Sequence, residues 1–419
     1  MIANRALDLA PLFGMAVQLR LKGRAQEAKP LFEAVLKVQR NHFDTLRHLS
    51  QIYASEDRLE DALRLIRRAV DQKPNDAEAQ NDLGGVLARL GDTKTAMARF
   101  ERAVALRPEY VAALMNLGST ADFIGRAETA VAAFEKALAI NPNLRDAAIR
   151  LRNSRSFAMQ AAGDLAGAIA CYAVGITEAI ARIPLEFTAS ASAVSAEKHD
   201  GREINALRNV VHQLDRHGIT AFLIGGALIG AMRGGELLAF DKDIDFGVFA
   251  SVTVADLDRA LARGTDFRRI HRPDQEGIVV SYRSSDGVGF DFSRVFCGDT
   301  QVWYGLNSGP YTIKWLHQPF DLIDIEFHGV RVKIPDDADR FLTEEYGDWR
   351  TPDPYFALWA SPNIEGGYSP PLRRMAYGSI FQALNDQAWA RAAHICDQIL
   401  SFDPDDALIQ EVRRRLAGA

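Results

Sequence analysis

A repeat of 34 residues in the first third of the chain constrains the fold more than any other feature. Three sets of positions show the period: Gly23, Asp57, Gly91 and Gly125; Ala28, Ala62, Ala96 and Ala130; and Phe32, Ile66, Phe100 and Phe134. Prolines close successive units at Pro74, Pro108 and Pro142. A repeat of this length does not bury its apolar face alone, so neighbouring units must stack. The period therefore predicts an all-α solenoid.

The repeated unit resembles the tetratricopeptide repeat, in which two antiparallel helices need small residues where they cross and a proline where the second helix ends. Leu83-Gly84 and Leu117-Gly118 fit the first-helix pattern of that family. A fifth unit is recognisable at Ala168 and Tyr172, displaced from the 34-residue register. We predict about five helical hairpins over residues 1–182. They serve either as a plain spacer or as a concave surface that binds a protein partner.

One isolated copy of the pattern lies near the C-terminus. Ala392, Cys396 and Pro404 reproduce the offsets of Ala62, Ile66 and Pro74. A single hairpin has no neighbouring repeat to cover its apolar face. Residues 361–419 are therefore predicted to form a C-terminal helical segment whose hairpin packs on another part of the chain.

Between the array and the remainder of the chain, residues 183–200 contain Pro184 and a run of small residues, which indicates a linker. A second domain is predicted over residues 201–360. Its first element, residues 203–217, has apolar residues at helical spacing and is followed by Gly218. This helix is expected to cover one face of a sheet.

A short apolar segment, residues 221–224, ends in the pair Gly225-Gly226 and predicts a buried strand that turns into a helix near Ala227. Free backbone N–H groups and the positive helix end at such a turn suit a phosphate. Glycines, which lack Cβ, allow close approach of that phosphate to the backbone. The turn is thus a candidate phosphate site.

Carboxylates follow this turn. Asp243 and Asp245 are two residues apart on the next predicted strand, so they share one face, and paired oxygen ligands suit Mg²⁺ or Mn²⁺. Residues 277–282 and 288–292 read as a hairpin in which Asp291 points away from the face of its aromatic neighbours. Two acids on one strand and a third on a neighbouring strand resemble the active-site plan of the nucleotidyltransferase fold. That resemblance implies an α+β domain with a mixed sheet.

Three separated motifs resemble the LicD and fukutin family: residues 223–233, residues 241–245, and the ending at residues 327–352, which includes Tyr346-Gly347-Asp348-Trp349. The resemblance covers roughly residues 200 to 360. Members of that family transfer a phosphorylated alcohol, such as phosphocholine or ribitol phosphate, from a CDP-activated donor to a sugar hydroxyl. It therefore implies a LicD-like, CDP-alcohol-dependent phosphotransferase acting on a glycan or glycoconjugate, such as a cell-envelope polysaccharide.

The resemblance also implies roles for individual residues. Asp243 and Asp245 would hold Mg²⁺ (or Mn²⁺) against the donor pyrophosphate, and Asp291 would complete the metal site or accept the proton of the acceptor hydroxyl. Gly225 and Gly226 would donate backbone N–H groups to a phosphate.

Flanking residues leave alternatives open. Arg233 would add charge-assisted bonds to the phosphate or form a structural ion pair. Lys242 stands where many family members carry a third acid, and it is expected on the opposite strand face, where it would contact a substrate phosphate. Asp241 is a weaker ligand candidate. Tyr346 and Trp349 would either pack the domain or stack on the cytosine base.

The composition limits the kinds of partner that the chain is expected to bind. A net charge of -6 and a pI near 5.9 provide no overall basic field, which argues against nucleic acid as a partner. No apolar run approaches the roughly 20 residues that cross a bilayer, so we expect a cytoplasmic protein with no transmembrane segment. Isolated Cys171, Cys297 and Cys396 indicate reduced thiols.

Two other functions remain open from the sequence. The same site would serve a nucleotidyltransferase that moves a nucleotide monophosphate from an NTP to a protein or small molecule. Alternatively, the chain would be a repeat-based adaptor with an inactive second domain.

Overall fold

The computed structural model describes residues 9–183, 201–238, 243–262, 266–270, 275 and 277–417. The chain divides into two compact units, residues 1–151 and 152–419. Residues 184–200, most of the predicted linker, lie outside the described residues. The first compact unit thus ends at residue 151, and the end of the repeat array at residue 182 stays a prediction.

The first unit is an all-α solenoid, as predicted. It contains antiparallel helix pairs in which each helix packs on the next. The helices are α1 (Ala10–Leu21), α2 (Ala25–Val38), α3 (Phe43–Ser55), α4 (Leu59–Gln72), α5 (Ala77–Arg89), α6 (Thr93–Leu106), α7 (Val111–Phe123) and α8 (Ala127–Ile140). A ninth helix, α9 (Arg145–Ala161), begins in the first unit and ends in the second.

Close helix packing explains the conserved spacing of glycine and phenylalanine within the repeats. A Cβ added to Gly84 would lie 2.6 Å from the ring of Phe100, and one added to Gly118 would lie 2.6 Å from the ring of Phe134. Both rings are almost completely buried. Glycine in the first helix of a pair therefore admits the aromatic side chain of the second helix.

The second unit begins with the end of α9 and α10 (Leu165–Ile180), followed by a sheet domain. The helices of this domain are α11 (Arg202–Arg216), α12 (Gly225–Arg233), α13 (Val254–Leu257) and α14 (Ala338–Tyr346). Its strands are β1 (Ala221–Leu223), β2 (Asp243–Phe249), β3 (Phe267–Ile270), β4 (Val279–Ser284), β5 (Gly289–Cys297), β6 (Val302–Ser308), β7 (Tyr311–His317), β8 (Leu322–Phe327) and β9 (Val330–Pro335).

The sheet is mixed, as predicted. Its strand order is β3-β4-β5-β2-β1-β9-β8, and β6 extends it by pairing with β5 and β7. The pairs β2–β5 and β1–β9 are parallel, whereas the other pairs are antiparallel. Phe222, Phe246, Phe290 and Phe292 are fully buried, and the rings of Phe246 and Phe292 stack at 5.4 Å. The predicted helix α11 packs on β9.

Three helices close the described chain: α15 (Pro370–Asn385), α16 (Trp389–Phe402) and α17 (Ala407–Leu416). Helix α15 packs on α10, and the rings of Phe381 and Tyr172 lie 5.7 Å apart across that contact. The prediction that the C-terminal hairpin packs on another part of the chain is confirmed. Gln387 has φ 58°, which matches φ 59° at Asp57 in the repeat that it resembles.

Within the described ranges, no helix combines the length and apolar character required to traverse a lipid bilayer.

Candidate active site

The predicted strand, glycine turn and helix are present, although α12 begins at Gly225 rather than near Ala227. Gly225 has φ +58°, and a Cβ there would lie 2.8 Å from Oδ2 of Asp245. The backbone N–H of Ile224 donates to the carbonyl of Asp245 at 3.2 Å. Glycine is therefore required both for the left-handed conformation and for close contact between the turn and the carboxylate strand.

The carboxylates occupy neighbouring strands, as the sequence predicted. Asp245 on β2 is the register partner of Asp291 on the parallel strand β5, and Asp243 is the partner of Gly289. The side chain of Asp243 covers Gly289 so closely that a Cβ there would meet its Oδ1 at 1.7 Å. The two strands thus bring Asp245 and Asp291 side by side.

A cavity of about 320 Å³ contains this pair. Gly225, Asp245 and Asp291 line it, together with Tyr304 and Trp315 from the β6–β7 hairpin. Glu345 and Tyr346 from α14 also line it. The fold therefore gathers carboxylates, a helix N-terminus and aromatic rings around one space.

The donor set suits a divalent cation bound with a substrate. Mg²⁺ is commonly held by one or two carboxylates and the phosphate oxygens of a substrate, and Asp245 with Asp291 provides such a pair. Asp243 is described but does not line the cavity. No group of three or more His, Cys, Asp or Glu side chains placed to hold a metal occurs in the part of the chain that the structure describes. The cavity thus presents two of the three predicted carboxylates.

Arg233 and Gly226, two further candidates for phosphate binding, do not line the cavity. The Arg233 guanidinium donates to the backbone carbonyls of Trp349 and Thr351, and burial lowers its pKa although Asp348 opposes the shift. This arrangement favours a packing role over phosphate binding. Gly226 lies in the first turn of α12 and, although described, does not line the cavity.

Two candidates of the sequence analysis are not placed. Lys242 and Asp241 both lie outside the described residues. The predicted contact of Lys242 with a substrate phosphate therefore stays a prediction.

Trp349 and Tyr346, the aromatic residues of the closing motif, differ in position: one packs the domain and the other lines the cavity. Trp349 is buried, and its Nε1 donates to Oδ1 of Asp339 at 3.1 Å, which is a packing role. Tyr346 lines the cavity, and its ring lies 4.7 Å from that of Phe356. Tyr346 is therefore available to a ligand, whereas Trp349 is not.

The cavity-lining residues that sequence reasoning missed include Tyr304, Trp315 and Glu345. For the first two a signal existed, because residues 302–306 and 311–316 are rich in β-branched and aromatic residues and flank the turn-forming run of residues 307–310, as the strands of a hairpin do. Glu345 had no such signal. Its burial arises from contacts with strands that are distant in the sequence.

Glu345 joins a buried polar group beside the carboxylate pair. Tyr304 Oη donates to Glu345 Oε2, and His317 Nε2 lies 3.7 Å from the same oxygen. Burial raises the pKa of Glu345, and burial together with the negative charge of Glu345 raises the pKa of Tyr304. The cavity thus holds a third carboxyl group, that of Glu345, which is buried and accepts a hydrogen bond from a tyrosine.

Family comparisons agree with both parts of this architecture. Residues 44–109 and 81–145 match tetratricopeptide-repeat models, and residues 218–337 match the LicD/FKTN/FKRP nucleotidyltransferase domain. The chain joins tetratricopeptide repeats to a LicD/FKTN/FKRP nucleotidyltransferase domain.

Individual relatives are more distant. The chain is 22% identical over 147 residues to ribitol-5-phosphate transferase FKTN of Macaca fascicularis, which covers 33% of this chain and 31% of the relative. It is 26% identical over 177 residues to ribitol 5-phosphate transferase FKRP of Mus musculus, covering 38% and 34% of the two chains. The match therefore spans about a third of the length of these curated relatives. Among solved structures, MamA is 26% identical with a TM-score of 0.33, covering 37% of this chain and 89% of MamA.

Proposed function

We propose that the LicD-type domain is a metal-dependent transferase that moves a phosphorylated alcohol from a CDP-activated donor to a hydroxyl of a glycan or glycoconjugate. The family match and the ribitol-phosphate transferases among its relatives support a phosphotransferase. The observation that carries the proposal is the cavity in which Gly225 at a helix start faces the neighbouring carboxylates Asp245 and Asp291.

In this reaction Asp245 and Asp291 would hold Mg²⁺, which neutralises charge on the donor pyrophosphate when it is bound. Asp243 lies on the same face of β2 as Asp245 and is the register partner of Gly289, two residues before Asp291, so it would add negative charge near the metal. The backbone N–H groups of Gly225 and Gly226 lie in the first turn of α12, where no intrahelical carbonyl accepts them, and would bind a phosphate oxygen. These residues hold the donor so that its phosphorus faces the acceptor hydroxyl.

Aromatic residues of the cavity would bind the remainder of the donor. Trp315 is buried, and its Nε1 has no hydrogen-bond partner among the described residues. An indole N–H is a donor only, so a ligand oxygen in the cavity would satisfy it. Tyr346 would stack on the cytosine base.

Donor binding tests the proposal. The full-length protein is titrated calorimetrically with CDP-ribitol, CDP-choline, CDP-glycerol and NTPs, with and without Mg²⁺. We expect Mg²⁺-dependent binding of a CDP-alcohol that is weakened at least about tenfold by Asp245→Asn and by Asp291→Asn, because a lost ligand lowers metal affinity. Asp324→Asn, in an exposed ion pair on β8, is the matched control and should bind normally.

Other outcomes select the alternatives. Metal-independent binding, or no binding of any CDP-alcohol, contradicts the proposal. Mg²⁺-dependent binding of an NTP alone favours the nucleotidyltransferase. Absence of all nucleotide binding favours the repeat-based adaptor.

We further propose that the repeats recruit the acceptor or a partner protein, as solenoids of this kind do. A truncation that removes residues 1–144 leaves α10 in place on α15, whereas one that removes residues 1–182 would uncover α15. The shorter truncation should keep Mg²⁺-dependent donor binding and lose transfer to the natural acceptor. Unchanged transfer would show that the array is a spacer.

A further inference from the structure

We propose that Tyr304 and Glu345 form the proton-accepting pair of the cavity: the Tyr304 hydroxyl receives the proton of the attacking hydroxyl and passes its own to Glu345. This inference rests on the proposed transfer reaction. It gives the proton a destination other than Asp291, which is placed to hold the metal.

The two side chains are positioned for this role. Both line the cavity that contains Asp245 and Asp291, and they reach it from β6 and α14 rather than from the carboxylate strands. Their exposed fractions are 6% for Tyr304 and 1% for Glu345. Bulk water therefore has little access to the pair, which strengthens its hydrogen bond.

The existing hydrogen bond sets the direction of proton movement. Tyr304 Oη donates to Glu345 Oε2, so the lone pairs of Oη remain available to accept a bond. As the acceptor oxygen bonds to the phosphorus that carries the alcohol, the P–O bond to CMP breaks and CMP keeps its electron pair. The acceptor proton moves to Tyr304 Oη and the tyrosine proton moves to Glu345 Oε2. Glu345 returns the proton to water after the products leave.

Neighbouring groups hold the pair in place. The His317 ring stacks on Tyr304 at 5.4 Å and on Phe341 at 3.9 Å. Its Nδ1 lies 3.0 Å from Oε2 of Glu344, and its Nε2 lies 3.2 Å from Nδ2 of Asn363. Asn363 Nδ2 also donates to the backbone carbonyl of Leu316 at 2.9 Å.

The surroundings of Glu345 favour its role as a proton acceptor. Burial raises its pKa, and His317, Tyr304 and Tyr346 oppose the shift without cancelling it. Asp245, across the cavity, adds negative charge that raises the pKa of Tyr304. A carboxylate whose pKa is raised from its ordinary value toward neutral pH is a more effective proton acceptor.

Cations on the other elements that pack on α14 are engaged elsewhere. On α12, Arg233 donates to backbone carbonyls of the closing motif. On β9, Arg331 and Lys333 both bind Asp324. Within the described part of the chain, none of these three cations forms an ion pair with Glu345.

The test follows CMP release from CDP-ribitol, CDP-choline and CDP-glycerol by the full-length protein with Mg²⁺, with water and glycerol as acceptors, across a pH series. We expect Glu345→Gln and Tyr304→Phe each to lower kcat by about 10²- to 10⁴-fold, the usual contribution of a positioned proton acceptor, with unchanged donor affinity. Glu345→Gln should also remove the acidic limb of the kcat profile, and Glu345→Asp should restore part of it. The double variant should be no slower than either single variant, because the two residues act as one unit.

The controls separate this role from a structural one. Glu344→Gln removes the neighbouring carboxylate, which contacts the same imidazole but does not line the cavity, and it should keep the acidic limb. Donor affinity and thermal unfolding of Glu345→Gln verify that the site remains folded. If Glu345→Gln keeps its rate or its acidic limb, or if the losses add in the double variant, the proton-accepting role of Tyr304 and Glu345 is wrong. The proposed transferase function is not affected by that result. Failure of the wild-type protein to bind any CDP-alcohol overturns the proposed function together with the pair.

Discussion

Adjacent glycines in α5 provide a sharp test of the packing in the repeats. A Cβ at Gly84 would lie 2.6 Å from Cε1, 2.8 Å from Cδ1 and 3.0 Å from Cζ of Phe100, whereas a Cβ at Gly85 would meet nothing within 4 Å. Both residues lie inside the same helix. The substitutions Gly84→Ala and Gly85→Ala therefore share one backbone effect and differ in one contact.

The magnitudes follow from these distances. Alanine in a helix interior is more stable than glycine by about 0.5–1 kcal/mol, so Gly85→Ala should stabilise the array by that amount. At Gly84 the same gain is opposed by overpacking against a ring that is 2% exposed, which costs about 1–3 kcal/mol. The two variants should thus differ in free energy of unfolding by about 1–3 kcal/mol.

Hydrogen exchange followed by mass spectrometry measures this difference locally, in the full-length protein. Amides in α5 and α6 (Thr93–Leu106) should exchange about 5- to 150-fold faster in Gly84→Ala than in Gly85→Ala, since 1.4 kcal/mol corresponds to tenfold. Phe100→Leu, combined with Gly84→Ala, should recover part of the loss because it removes the crowded ring atoms. Equal exchange in the two glycine variants would refute the packing argument.

Further predictions concern titration, reactivity and Arg233. Burial, aided by nearby arginines, lowers the pKa of His48 from 6.5 to about 4, so the unfolded array binds this proton more tightly. Stability should therefore fall as the pH drops from about 6.5 toward about 4, and urea titrations should show a smaller decrease for His48→Gln. Burial raises the pKa of Cys396 to about 12, whereas Cys297 is exposed. At about pH 8, iodoacetamide should label Cys297 and spare Cys396, and labelling of native Cys396 would contradict its burial. Arg233→Gln should speed amide exchange at residues 347–351 and leave CDP-alcohol affinity unchanged; lost affinity without faster exchange would instead indicate phosphate binding.

Short-range patterns explain which elements could be predicted. The 34-residue period is visible when successive stretches of the sequence are compared. The glycine turn at Gly225 and the alternation around Asp245 and Asp291 each depend on residues that are neighbours in the sequence. Helical and strand periodicities translate such spacings directly into faces. The solenoid and the strands that carry the carboxylates were therefore predictable from the residues, whereas the mixed sheet was implied by the resemblance to the nucleotidyltransferase fold.

Other features depend on residues that the chain separates. Arg233 looked equally suited to a phosphate, but its carbonyl partner in Trp349 is 116 residues away. The end of the repeat array was placed at residue 182 by its pattern. In the folded chain α10 packs on α15, so this helix belongs to the second unit.

The sequence alone determined the kinds of element and the residue types that phosphate and metal chemistry need, because those are properties of short segments. Only the tertiary structure decided which side chains share the cavity. Tyr304 and Glu345, 41 residues apart, meet there because β6, β7 and α14 pack together, and Asp243 is excluded from the lining although it lies two residues from Asp245. Burial of a polar group depends on everything that packs around it, and no local spacing encodes that.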